Sequence, residues 1–155
     1  MAKLGVAQSR VISAANLSQT LPPVLPPNFI SRKEILDGVE IDQAGITLVV
    51  APAGYGKTSL VAEWALAHRD RVIWLTITES DSLEDMAALF IQATRNILPG
   101  FAPWFESEAS VRPVEVVRRW GNELLATNKD YIFVIDNLRE HTSRDVDIAS
   151  RLVEQ

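Results

Sequence analysis

Ile46-Thr47-Leu48-Val49-Val50-Ala51-Pro52-Ala53-Gly54-Tyr55-Gly56-Lys57-Thr58 joins an apolar run to a glycine-rich turn, and the reading of the fold starts there. Residues 46–51 are a continuous, β-branched run, which suits a central parallel strand covered on both faces better than a one-sided strand. Residues 58–68 then place Leu60, Val61, Trp64, Ala65 and Leu66 near the 3.6-residue period of a helix. Between them, Ala51 to Thr58 fits the phosphate-loop pattern G-x-x-x-x-G-K-[ST], except that Ala51 stands at the leading glycine. Gly54 and Gly56 can take backbone angles that turn successive amide N–H groups inward as a nest for anionic oxygens. The following helix adds its positive end to the same place. Lys57 is the group to reach a β- or γ-phosphate, and the Thr58 hydroxyl the group to meet Mg²⁺.

Moving outward, residues 71–77 read as a second strand, and residues 82–98 as a helix through Met86, Leu89, Phe90, Ala93 and Ile97, stopped by Pro99-Gly100. Residues 101–112 read as a loop that docks Trp104 and Phe105 locally. Pro113 suits a first helical turn, and Val114, Val117, Trp120, Leu124 and Leu125 continue that helix. Residues 131–135 form a third buried strand, ending in Asp136. Strands alternating with helices of this length imply βαβ units and a parallel sheet with helices on both faces, an α/β, three-layer phosphate-loop architecture. Asp136 is placed to hold magnesium through water beside Thr58, since Mg²⁺ takes few carboxylates and several waters. Asn137 follows, and an amide cannot accept a proton from an attacking water at neutral pH. Glu79 and Glu140 are the acidic residues nearby that could take over that role.

On the N-terminal side, residues 1–20 have no clean period and Leu21-Pro22-Pro23-Val24-Leu25-Pro26-Pro27 enforces an extended path. Residues 1–28 are thus expected to be an arm and proline-rich linker, and residues 29–155 a partial nucleotide-binding domain. Phe29 to Leu36 opens a short helix in which Ser31 is a candidate N-cap and Glu34 closes a capping box.

Composition narrows the function classes. The 155 residues are 47% hydrophobic and 23% charged, as in one ordinary globular domain. A net charge of −5, with no basic cluster longer than two residues, argues against direct nucleic-acid binding by this chain. With no Cys and two His there is no thiolate site and no imidazole cage for zinc, so any metal must be held by oxygen. No apolar run approaches the roughly 18 residues of a membrane span, and the start lacks a secretory apolar stretch. A cytoplasmic location is expected.

At these residues the chain resembles the ATPase module of the large LuxR-type transcriptional regulators related to the maltose-regulon activator, a branch of the signal-transduction ATPases with numerous domains. The resemblance rests on Val50-Ala51-Pro52-Ala53-Gly54-Tyr55-Gly56-Lys57-Thr58-Ser59-Leu60, Glu63-Trp64, Val72-Ile73-Trp74-Leu75, Glu79-Ser80-Asp81 and Val134-Ile135-Asp136, across residues 22–140. It implies that ATP is held by Ala53, Gly54, Tyr55, Gly56, Lys57, Thr58 and Ser59, with Mg²⁺ at Thr58 and Asp136. It also implies that Phe29-Ile30-Ser31-Arg32 is the segment whose backbone cradles adenine near Arg32; a helix-starting Ser31 and a solvated Arg32 are the local alternative. The family usually carries a second acidic residue where Asn137 stands, so hydrolysis is expected to be slow or absent. In that fold a further strand lies between the loop-bearing strand and the Asp136 strand, and 19 residues follow Asp136 here. A fragment of a longer regulator is therefore expected, with open sheet edges available to the rest of a regulator or to self-association.

Three functions follow from this sequence: a nucleotide switch module binding ATP and ADP, a small phosphotransferase acting on a metabolite, or a remnant acting in protein interaction alone. A phosphotransferase would need an arginine-bearing lid, for which the tail offers Arg139, Arg144 and Arg151.

Overall fold

The computed structural model describes residues 17–38, 45–107 and 111–138. The arm up to residue 16 and the tail from residue 139, with Arg139, Glu140, Arg144 and Arg151, lie outside the described residues. A 3₁₀ turn at Ser18–Thr20 is followed by α1 (Lys33–Asp37), α2 (Lys57–Ala67), β1 (Val72–Thr76), α3 (Leu83–Arg95), α4 (Trp104–Ser107), α5 (Pro113–Ala126) and β2 (Ile132–Asp136). No helix among the described residues is long and apolar enough to cross a membrane.

The two strands pair in parallel, Val72 opposite Ile132 through Thr76 opposite Asp136. Parallel neighbours need a crossover, and α3, α4 and α5 provide it. Helices cover both faces of this small sheet. Val72 and Trp74 of β1 pack with Ala62 and Ala65 of α2. Leu75, one position out of phase and so on the opposite face, packs with Leu89 and Phe90 of α3. The α3–α5 layer closes around Ile91, Val116 and Trp120, and receives Phe101, Ala102 and Phe105 from the connecting segment. Thr94, fully buried in this layer, donates to the Phe90 carbonyl and accepts the Trp120 indole N–H at 2.7 Å.

Local chemistry explains the boundaries. Ser82 accepts the Asp85 amide while the Asp85 carboxylate takes the Ser82 amide and hydroxyl, a capping box that starts α3. The Ser82 donors hold the Asp85 carboxyl below its ordinary value. Pro113 opens α5, where a missing N–H costs nothing. The segment 101–107 is more ordered than a loop, because Arg95 donates to the carbonyls of Phe101 and Ala102 and pairs with Glu106, pinning α4.

Three expectations change. Residues 46–51 form no strand: among the described residues the sheet is β1 and β2 alone, and Leu48 and Val50 are 77% and 78% exposed. The run has the composition of a covered strand, but a strand exists only when a neighbour takes its backbone N–H and C=O groups. The sheet described is accordingly two-stranded, smaller than the three-layer phosphate-loop sheet expected. Second, Ser31 caps no helix. Arg32 holds the N-cap position of α1 without a side-chain cap, and the Ser31 hydroxyl donates to Glu63 of α2. Third, the N-terminal segment is docked from residue 17 onward: Thr20 is buried, the Asn96 amide of the α3 cap donates to its carbonyl at 2.8 Å, and Leu25 packs beside the α2 cluster.

Candidate functional site

The glycine-rich turn lies where α2 begins. Gly54 has φ 82° and Gly56, the N-cap of α2, has φ 75° and ψ 27°, both left-handed values that a side chain would strain. Nothing crowds the space where a Cβ would sit at Gly54, so the backbone angle is what calls for glycine there. The turn is closed by the Tyr55 amide on the Pro52 carbonyl, and α2 starts with the Leu60 amide on the Gly56 carbonyl at 2.9 Å. The first amides of α2 thus point out at the turn, unsatisfied within the helix and carrying its positive end.

Lys57 folds along the turn. Its Nζ donates to the Ala51 carbonyl at 2.6 Å and the Pro52 carbonyl at 3.0 Å. The ammonium is therefore held on the rim of the turn, half-buried, by carbonyls that an anionic oxygen can replace. Arg32 approaches from outside, its Nη1 donating to the Tyr55 carbonyl at 3.0 Å. Two cations thus border one short stretch of backbone in a chain whose net charge is −5.

Thr58 and Asp136, 78 residues apart, meet across the fold: the hydroxyl donates to Oδ1 at 2.8 Å. Register places Asp136 opposite Thr76 at the end of the parallel pair, and α2 brings Thr58 to the same end. A hydroxyl and a carboxylate side by side offer two hard oxygen ligands, too few to hold Mg²⁺ unaided but suited to an ion that arrives with phosphate oxygens and water. Among the described residues there is no cluster of three or more His, Cys, Asp or Glu able to bind a metal alone.

Asn137 takes a positive φ of 61°, a conformation Asn tolerates better than most residues, and its Nδ2 donates to the Ile77 carbonyl at 2.8 Å. Together with the Ile77 amide on the Asp136 carbonyl at 3.1 Å, this fastens the end of β2 to the segment after β1. Glu79 is exposed in the turn that follows.

Phe29, Ile30 and Arg32, on the segment expected beside adenine, join Asn28, Gly56 and Ser59 in lining a cleft of about 240 Å³ beside the turn. Gln19 donates to the Thr76 carbonyl at 3.0 Å and to Asp81 at 2.8 Å, reaching the same sheet end from the N-terminal segment. Neither Asn28 nor Gln19 carries a local signal, because both depend on contacts between distant parts of the chain.

The described residues thus form a small parallel sheet flanked by helices, with a glycine-rich turn opening one of them. The chain is similar to the HTH-type transcriptional regulator MalT of Yersinia pestis and of Yersinia pseudotuberculosis, 35% identical over 81 residues in each case. The Yersinia enterocolitica MalT regulator is 33% identical over 79 residues. Each similarity covers 50% of this chain and 9% of the relative. This supports a relation to MalT-type transcriptional regulators over half of the chain. No family model and no solved structure matches.

Proposed function

We propose that this chain is a nucleotide-binding module of a MalT-like transcriptional regulator, in which Mg²⁺·ATP occupancy acts as a conformational switch and hydrolysis is slow or absent. The observation that carries the reading is the 2.8 Å contact between Thr58 and Asp136 at the mouth of a turn held left-handed at Gly54 and Gly56. In this reading Ala53, Gly54, Gly56 and Ser59 present backbone amides to the phosphates, and the Tyr55 amide leaves the Pro52 carbonyl to join them. Lys57 leaves its own carbonyls for the terminal phosphates, and Thr58 and Asp136 hold the metal side. Mg²⁺ supplies charge neutralisation between phosphate oxygens. The two strands belong to a larger phosphate-loop sheet, with residues 46–51 as its loop-bearing strand once a neighbour covers them. That neighbour is the rest of a regulator or a second copy of the chain. A switch needs only that nucleotide binds one global state better than the other.

The slow-hydrolysis half of the proposal rests on Asn137, whose amide is committed to the Ile77 carbonyl. Titration with a fluorescent ATP analogue, with and without Mg²⁺, is expected to show saturable binding displaced by ATP. Phosphate release from the same protein is expected to stay well below the roughly 1 s⁻¹ at the low end of ordinary turnover. Turnover at that rate would overturn the assignment of Asn137, and absence of saturable binding would overturn the nucleotide reading itself.

A further inference from the structure

The end of β1 is gripped along both of its edges. The ladder bonds to β2 come from odd positions: the Ile132 amide donates to the Arg71 carbonyl at 2.9 Å, and the Ile77 amide donates to the Asp136 carbonyl at 3.1 Å. Backbone polar groups alternate in direction along a strand, so Ile77 faces β2 and Thr76 turns its carbonyl to the outer edge. On the β2 side the Asn137 amide takes the Ile77 carbonyl, where the next ladder donor would stand. On the outer side Gln19 Nε2 donates to the Thr76 carbonyl at 3.0 Å. Gln19 also donates to Asp81 Oδ2 at 2.8 Å, and the same oxygen accepts the Thr78 amide at 2.7 Å. The turn after β1 is thus closed around a single carboxylate oxygen. Gln19 reaches it from the 3₁₀ turn at Ser18–Thr20, which the Asn96 amide docks by donating to the Thr20 carbonyl at 2.8 Å and hydroxyl at 3.1 Å.

We infer that Gln19 is a positioning residue for the metal side of the site: by fixing the outer edge of β1 it sets the backbone from which Asp136 presents its carboxylate, and it makes the N-terminal turn part of the switch. This rests on the nucleotide reading. Asp136 stands opposite Thr76 in the register, and its carbonyl rests on Ile77, the residue between the two that Gln19 holds directly and through Asp81. A carboxylate that meets Mg²⁺ tolerates little displacement, because this ion demands near-octahedral geometry at ~2.0–2.1 Å. Phosphates held by amides at the start of α2 depend on a different element, so loosening the end of β1 costs the metal its ligand and leaves the phosphate grip in place. Linkage is reciprocal: if Gln19 favours metal at Asp136, metal at Asp136 tightens the docking of residues 18–20.

Calorimetric titration of the whole chain with ATP, in the presence and absence of Mg²⁺, tests this. Gln19→Met keeps the length of the side chain and loses the donor. It is expected to reduce the gain in affinity from Mg²⁺ from about tenfold to about threefold, and to leave affinity without Mg²⁺ within about twofold of wild type. Asp81→Asn keeps an oxygen to accept both the Gln19 and the Thr78 amides, so the magnesium gain is expected to stay within about twofold of wild type. A measurement on the wild type keeps the test decisive if Gln19→Met compromises folding: adding Mg²⁺ to the ATP-saturated protein is expected to shift the NMR resonances of the Gln19 side-chain amide. An undiminished gain in Gln19→Met, or equal losses with and without Mg²⁺, would overturn the inference and leave the nucleotide reading standing. So would a Gln19 amide unmoved by Mg²⁺, or loss of the gain in Asp81→Asn, which would make Asp81 itself a metal ligand. A wild type that binds no ATP, or gains nothing from Mg²⁺, would instead reject the nucleotide reading.

Discussion

Replacing Lys57 by alanine is expected to weaken Mg²⁺·ATP binding about a hundredfold. A single hydrogen bond to a charged group contributes roughly 1.5–3 kcal/mol, and in this reading the Lys57 ammonium exchanges its backbone carbonyls for the terminal phosphates. Tenfold in affinity corresponds to about 1.4 kcal/mol, so the upper half of that range gives the stated loss. The variant also gives up the contacts to Ala51 and Pro52. These sit at a partly exposed rim, and their loss is expected to change unfolding free energy by less than about 1 kcal/mol. Calorimetric titration paired with urea denaturation separates the two effects. Affinity within about threefold of wild type would remove Lys57 from the site.

Asp136→Asn gives the second large effect, and it is a change in magnesium dependence. The amide oxygen can still accept the Thr58 hydroxyl, so the turn and the end of β2 stay joined. What disappears is a negative charge. Wild-type affinity for ATP is expected to rise about tenfold or more when Mg²⁺ is added, a gain to which a carboxylate beside the ion contributes directly. In the variant that gain is expected to shrink to about twofold. Affinity without Mg²⁺ should hold or increase, because the carboxylate no longer repels the phosphates. An undiminished magnesium gain would place the metal away from Asp136.

Much of this arrangement is legible in the sequence, and the limit is a physical one. Features fixed by near neighbours read directly: Pro113 at the start of α5, the β-branched runs of β1 and β2, and glycines at the left-handed positions Gly54 and Gly56. The meeting of Thr58 and Asp136 also reads through, because alternating strands and helices carry the ends of parallel strands to one side of a sheet. Residues 46–51 do not. Their composition reports the surroundings such a strand requires, while pairing depends on a neighbour that a local reading cannot supply. Ser31 shows the same limit in miniature. Beside Glu34 it has the local pattern of a capping box, yet its hydroxyl goes to Glu63, 32 residues away. Asn137 cannot accept a proton, and its left-handed backbone and its bond to Ile77, which no local pattern announces, show what its amide holds instead.

In the proposed function backbone amides of the turn grip a polyphosphate, and amide-resolved NMR reads those groups one by one. On titration with Mg²⁺·ATP, the amide resonances of Gly54, Tyr55, Gly56, Lys57 and Thr58 are expected to shift most in the whole chain, and to shift similarly with Mg²⁺·tripolyphosphate. Shifts that leave these five amides unmoved at a saturating ligand concentration would contradict it.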